Sequence, residues 1–109
     1  MLNAKSEPLT ESYYYILLCL YNKPSHGYGI MQDTLILSEG SVKIGSGTMY
    51  GATSNMMKKG WIRETEGDNQ EDKRKRLYEL TPLGKEVLEE EIKRLKRLIK
   101  GSEIILGGK

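Results

Sequence analysis

Two clusters in this chain carry side chains suited to a charged polymer. Lys73, Arg74, Lys75 and Arg76 stand in a row, and such a cluster attracts the adjacent phosphates of a duplex, with counterion release supplying the affinity. Successive side chains on a strand point to opposite faces, so only part of the row can meet one partner. The same row would also suit a charged edge strand that resists aggregation. Upstream, Ser46-Gly47-Thr48 has small side chains that would let backbone amides approach a phosphate at a helix N-terminus. Tyr50, Ser54, Asn55 and Lys58 follow on or near one outward face, with Lys43 just before them. Asn can make a bidentate pair with adenine, while hydroxyls and Lys serve phosphates or either base. An ordinary polar helix face is the competing reading.

Catalytic readings do badly. Gly40 to Ser46 mimics a phosphate loop in its glycine spacing, but Ser46 occupies the lysine position and Gly47 follows, so the motif fails. His26 is the only histidine, and a lone His before Gly-Tyr suits a helix start or a packing position better than a catalyst. No carboxylate pair combines with a base or ligand in a recognisable site, so neither an enzyme nor a bound cofactor or metal is expected.

The elements that must position these groups can be read from pattern. At 109 residues, 38% hydrophobic and 29% charged, the chain suits one folded domain with a modest core. A formal charge of +2 is no proof of a nucleic-acid partner, and what matters is where the charge sits. One cysteine, Cys19, rules out an intramolecular disulfide and fits a reducing compartment. Met1 to Pro8 carry no apolar signal core, and the longest apolar run, Tyr13 to Tyr21, is too short to span a bilayer. A cytoplasmic protein is expected.

Thr10 is the expected N-cap of an apolar helix running to Tyr21, ended by Asn22, Lys23 and Pro24. A helix apolar on nearly every side is usually buried on more than one. A second helix is expected from Ser25 or His26, carrying Tyr28, Ile30, Met31 and Leu35, then a Gly- and Ser-rich loop over 40–47. The third helix should open near Gly47, turn Met49, Thr53, Met56 and Met57 inward, and stop at Gly60. Trp61 to Thr65 and Arg74 to Leu80 read as two strands of a hairpin with a polar turn over 66–73. Thr81-Pro82 starts a last helix reaching at least Lys100, with a frayed end at 107–109. The fold class is mainly α with a small β-hairpin, a winged helix-turn-helix plus a long C-terminal dimerisation helix. The expected division is 1–81 for DNA binding and 82–109 for the dimerisation helix and tail.

His26 to Ile30, HGYGI, and Gly47 to Gly51, GTMYG, together resemble the PadR family of transcriptional regulators, whose pattern reads HGYEI and then GTLYP. An apolar helix ending in Gly and a basic wing lead there to YxLTxxG, matched here by Tyr78, Leu80, Thr81 and Gly84. The match covers roughly residues 13 to 90. It implies a dimeric repressor with the recognition helix in the major groove, the wing against the backbone and the C-terminal helix as dimer arm. Gly29 replaces the usual acid and Gly51 the usual proline, adding two glycines that each cost up to ~1 kcal/mol against Ala inside a helix. The short C-terminal region resembles the single-helix branch of the family.

Leu88, Ile92, Leu95 and Ile99, spaced four, three and four, form a two-heptad seam that supports a homodimer independently. A helix folded back on its own domain is the alternative. Some family members bind flat apolar drugs between the dimer arms, helped by an aromatic on the C-terminal helix. This chain has no aromatic after Tyr78, so Tyr13, Tyr14 and Tyr15 are the candidate effector cleft. The expected partners are double-stranded DNA with an inverted-repeat operator, a second copy of the chain and a small-molecule effector. The competing function is a winged-helix module for protein–protein assembly.

Overall fold

The computed structural model describes residues 7–66 and 76–107. The elements run α1 (Glu11–Cys19), β1 (Ser25–His26), α2 (Gly27–Leu37), α3 (Ser46–Lys58), β2 (Ile62–Thr65), β3 (Leu77–Leu80) and α4 (Pro82–Leu106).

Local chemistry accounts for each boundary. The Thr10 hydroxyl accepts the Tyr13 N–H at 3.1 Å, as an N-cap should. α1 stops at Cys19, short of the end of the apolar run, because Leu20 and Tyr21 tighten the last turn by donating to the Leu17 and Leu18 carbonyls. The second helix begins at Gly27 rather than Ser25 or His26. His26 is its N-cap, with Nδ1 accepting the Gly29 N–H at 3.1 Å. Thr81 caps α4 in the same way, with Pro82 in the first turn, and Gly107 closes the helix in the left-handed region at φ 74°.

Ser25 and His26 form a third strand where a helix start was expected. They pair antiparallel with Tyr78 and Leu77, which makes the sheet order β1-β3-β2 rather than a bare hairpin. Two residues are too few to show a period. The first half of the expected second strand, Arg74 and Lys75, lies outside the described residues.

All four helices and the sheet share one core. Ile16, Leu17 and Leu20 of α1 meet Ile30 of α2, Met49, Ala52 and Met56 of α3, Ile62 and Leu80 of the sheet, and Leu88 of α4. Complete burial of each large aliphatic side chain contributes about 1.5–3 kcal/mol. Val42 and Ile44 are buried on either side of exposed Lys43, so the loop before α3 is pinned by alternate residues.

Two contacts set the course of α4. Gly84 packs so closely on the Trp61 carbonyl that no Cβ fits between them. Further along, Glu91 is only 4% exposed. Its carboxylate accepts Arg94 Nε and Nη2 at 2.8 and 2.9 Å and the Leu9 N–H at 3.2 Å. The Arg94 hydrogen bonds hold the Glu91 carboxyl below the usual carboxylate range, against burial, which pushes it up; Leu9 assists. Beyond Leu95 every residue of α4 is exposed, so the helix leaves the body and stretches the molecule to 54 Å. Among the described residues no helix is long and apolar enough to cross a membrane.

Candidate nucleic-acid interface

α3 is held by one side and shown by the other. Met49, Ala52, Thr53 and Met56 are buried, and the Thr53 hydroxyl donates back to the Met49 carbonyl at 3.0 Å. The opposite stripe is Gly47, Gly51, Ser54 and Lys58, spaced four, three and four. Tyr50 flanks that stripe on one side, 73% exposed, while Thr48 and Asn55 flank it on the other. Gly45 is the N-cap and supplies no side-chain bond, so the first-turn amides of Ser46, Gly47 and Thr48 stay open to an incoming acceptor. Lys43 and Lys58 are exposed at either end of the helix.

Asn55, expected on or near the outward face, is turned partly toward the body. Its side-chain amide donates to the Tyr13 hydroxyl at 3.0 Å and is half-buried. Helical geometry explains this, since residue 55 sits at the edge of the outward stripe, beside α1. Tyr13 is further fixed by an edge-on contact with Trp61, ring centres 6.5 Å apart, and Tyr14 packs edge-on against Tyr15 at 5.4 Å. All three tyrosines of the candidate effector cleft are half-buried against the core.

Of the basic row, Lys73, Arg74 and Lys75 lie outside the described residues. Arg76 is exposed and meets Glu64 across the hairpin at 3.2 Å, and Arg63 pairs with Glu79, its cross-strand neighbour, at 2.7 Å. Exposed pairs of this kind contribute about 0–1 kcal/mol and exchange readily.

The structure adds Tyr28, which sequence reading placed among the apolar residues of the second helix. It is 64% exposed at the first turn of α2. The signal was available, because residue 28 is two positions before buried Ile30 and so points nearly opposite to it. Tyr28, Tyr50, Ser46 and Arg76 line an open cleft of about 490 Å³ between α2, α3 and β3.

The seam expected on α4 is buried at its start and exposed toward its end. Leu88 is fully buried in the chain's own core, and Ile92 packs partly against it. Leu95 is half-buried where the helix departs. Ile99 is 59% exposed, in company with Leu98, Ile104, Ile105 and Leu106, which are 58–81% exposed.

The sequence model described as the transcriptional regulator PadR-like family matches residues 16–90, more than half of the chain. The chain belongs to the PadR-like family of transcriptional regulators. No curated protein matches it in sequence. Among solved structures, it is similar to a PadR family transcription regulator from Clostridium difficile R20291, at 27% identity and a TM-score of 0.66. That match covers 91% of this chain and all of the other. A transcriptional regulator from Clostridium thermocellum shares the fold at 23% identity and TM-score 0.63, covering 87% of this chain and 88% of that one. The transcriptional regulator BldR from Sulfolobus solfataricus does so at 20% identity and TM-score 0.70, over 87% of this chain and 61% of that one. PadR-like proteins are regulators rather than catalysts, in keeping with the failed enzymatic motifs.

The two departures from the PadR pattern have a local setting. A Cβ at Gly29 would lie 2.8 Å from the Ser25 hydroxyl, so an acid there would have to displace it. At Gly51 a Cβ would meet nothing within 4 Å, and α3 runs through the position unbroken to Lys58.

Proposed function

We propose that this PadR-like regulator is a homodimeric repressor that seats α3 in the major groove of an inverted-repeat operator. The observation that carries the reading is the outer surface of α3. Small and polar residues with open first-turn amides face outward while the opposite side is locked into the core. We assign Thr48, Tyr50 and Ser54 to base edges or to the phosphates that flank them. We assign Ser46, Gly47, Lys43, Lys58 and Arg76 to phosphates, together with Lys73, Arg74 and Lys75, which precede Arg76 in the sequence. Asn55 supports α1 instead of reading a base.

The dimer reading rests on the outer half of α4. A contiguous exposed apolar stretch of this kind marks an interaction surface on a small protein. The surface we assign to the second copy is Leu95, Leu98, Ile99, Ile105 and Leu106, since Leu88 and most of Ile92 serve the chain's own core. Such a dimer fits the division into a DNA-binding domain and a C-terminal dimer helix, and the cytoplasm is where it would meet DNA. Repression follows from occupancy, because a dimer on its operator excludes other proteins from the same grooves. An effector that shifts the two α4 helices would change the spacing of the two α3 helices and release the DNA.

Selection from random duplexes tests this reading. It should enrich an inverted repeat whose half-sites lie about one helical turn apart, roughly 34–36 Å. Failure to enrich any sequence would leave the chain a module for protein–protein assembly.

A further inference from the structure

The cleft between α2, α3 and β3 combines an apolar floor with a polar rim. Met31, Met49 and Tyr78 form the floor, while Tyr28, Tyr50, Ser46 and Arg76 stand around the mouth. Among the described residues, the hydroxyls of Tyr28, Tyr50 and Ser46 have no hydrogen-bond partner, and Arg76 has only its exposed contact with Glu64.

We propose that this cleft seats one deoxyribose–phosphodiester unit of the DNA backbone. The Tyr28 hydroxyl and Arg76 are the principal holders of its phosphate. The inference rests on the DNA-binding reading above and adds a defined subsite and a residue, Tyr28, outside α3 and the wing. Three considerations select this occupant. The rim offers three hydroxyl donors and a guanidinium, which suit an anion, and the one carboxylate beside it is Glu64, the exposed partner of Arg76. The apolar floor suits the C–H edge of a sugar, which a free inorganic anion lacks. The mouth is wide open beside the outward stripe of α3, so a polymer lying along that stripe can enter from the side. A small organic ligand would instead need a site that covers most of its surface. Arg76 can trade Glu64 for a phosphate at small cost, since both partners are largely exposed.

The experiment uses the full-length protein and the duplex obtained by selection, scanned with single neutral methylphosphonate linkages. In the wild type, one linkage per half-site should weaken binding about 10-fold, as expected for losing a hydrogen bond to a charged group. Tyr28→Phe, at a 64% exposed position that leaves the fold intact, should weaken the unmodified duplex by a similar factor. In that variant, and in Arg76→Ala, the penalty at that one linkage should shrink while penalties at the others persist. If both variants keep the wild-type penalty at every linkage, the subsite is wrong and DNA binding by α3 stands. If the wild type binds no duplex, the parent reading falls and takes the subsite with it. Competition by inorganic phosphate at matched ionic strength, abolished by Tyr28→Phe while every methylphosphonate penalty stays, would give the cleft to the free anion and overturn the assignment.

Discussion

Two glycine-to-alanine substitutions should move stability in opposite directions, because α4 is aimed by a contact that only glycine permits. At Gly84 an added Cβ would clash with the Trp61 carbonyl oxygen and lie 2.9 Å from the carbonyl carbon and 3.1 Å from Leu80 Cδ2. Backbone cannot rotate away, so α4 must lift from β2 and β3. Overpacking costs about 1–3 kcal/mol or more. Lifting the helix also strains the Thr81 cap, whose hydroxyl contacts the Gly60 and Trp61 carbonyls as well as the Gly84 N–H, at a further ~1 kcal/mol. Better helix propensity returns at most ~1 kcal/mol. The net loss is about 1–3 kcal/mol, or a fall in Tm on the order of 10 °C. At Gly51 the new methyl meets nothing within 4 Å. Only the propensity gain remains there, up to ~1 kcal/mol and a rise of about 4 °C. Thermal unfolding followed by circular dichroism, at one fixed protein concentration, reads both. A Gly84→Ala protein as stable as wild type, or a Gly51→Ala protein that is less stable, would refute the placement of α4 or the exposure of α3.

Three further outcomes follow from the same packing. Asn55→Ala should weaken binding to every duplex alike and cost about 1 kcal/mol of stability, and a double-mutant cycle with Tyr13→Phe should show coupling between the two; a loss confined to the operator would return Asn55 to base reading. The Glu91 carboxyl lies below its usual range, so its contribution is present above the unfolded value of about 4.3 and is lost as pH falls through the lower folded value. Urea midpoints of the wild type and Glu91→Gln should therefore differ at pH 7 and converge toward pH 3, and a constant gap would contradict the Arg94 contact. Ile99→Asp with Ile105→Asp should give folded monomers by light scattering, whereas Leu88→Ala should lower stability by about 2–5 kcal/mol with the dimer surface intact; a compact dimer in the first variant would move the interface off the tail.

Periodicity carried most of the architecture. Thr10, Thr81-Pro82, Gly60 and the inward set Met49, Thr53 and Met56 stand where local chemistry put them. Patterns shorter than a period could not speak: Ser25-His26 gains its strand character only from Tyr78 and Leu77, some fifty residues on. The α4 seam was legible as an apolar stripe, but a stripe does not say which part meets the chain's own body. That depends on where Gly84 lets the helix land and on Glu91 tying down Leu9. The Asn55 contact with Tyr13 was hidden for a related reason. The side-chain type of Asn55 invited base reading, while its position at the edge of the outward face brings it to Tyr13. Tyr28 was the converse case, an aromatic read only as one of the apolar residues of the second helix although its distance from Ile30 turned it outward.

The central claim, that α3 reads a DNA sequence, is tested most directly by the ratio of two dissociation constants at one physiological salt concentration. One is for the duplex enriched by selection and the other for a scrambled duplex of equal length and composition. Specific regulators bind their sites about 10³–10⁷ times more tightly than non-specific DNA. A ratio of at least 10³, reduced about 5- to 150-fold per altered half-site contact by Thr48→Ala or Ser54→Ala at an unchanged scrambled affinity, is the predicted result. Equal affinity for both duplexes would contradict the claim.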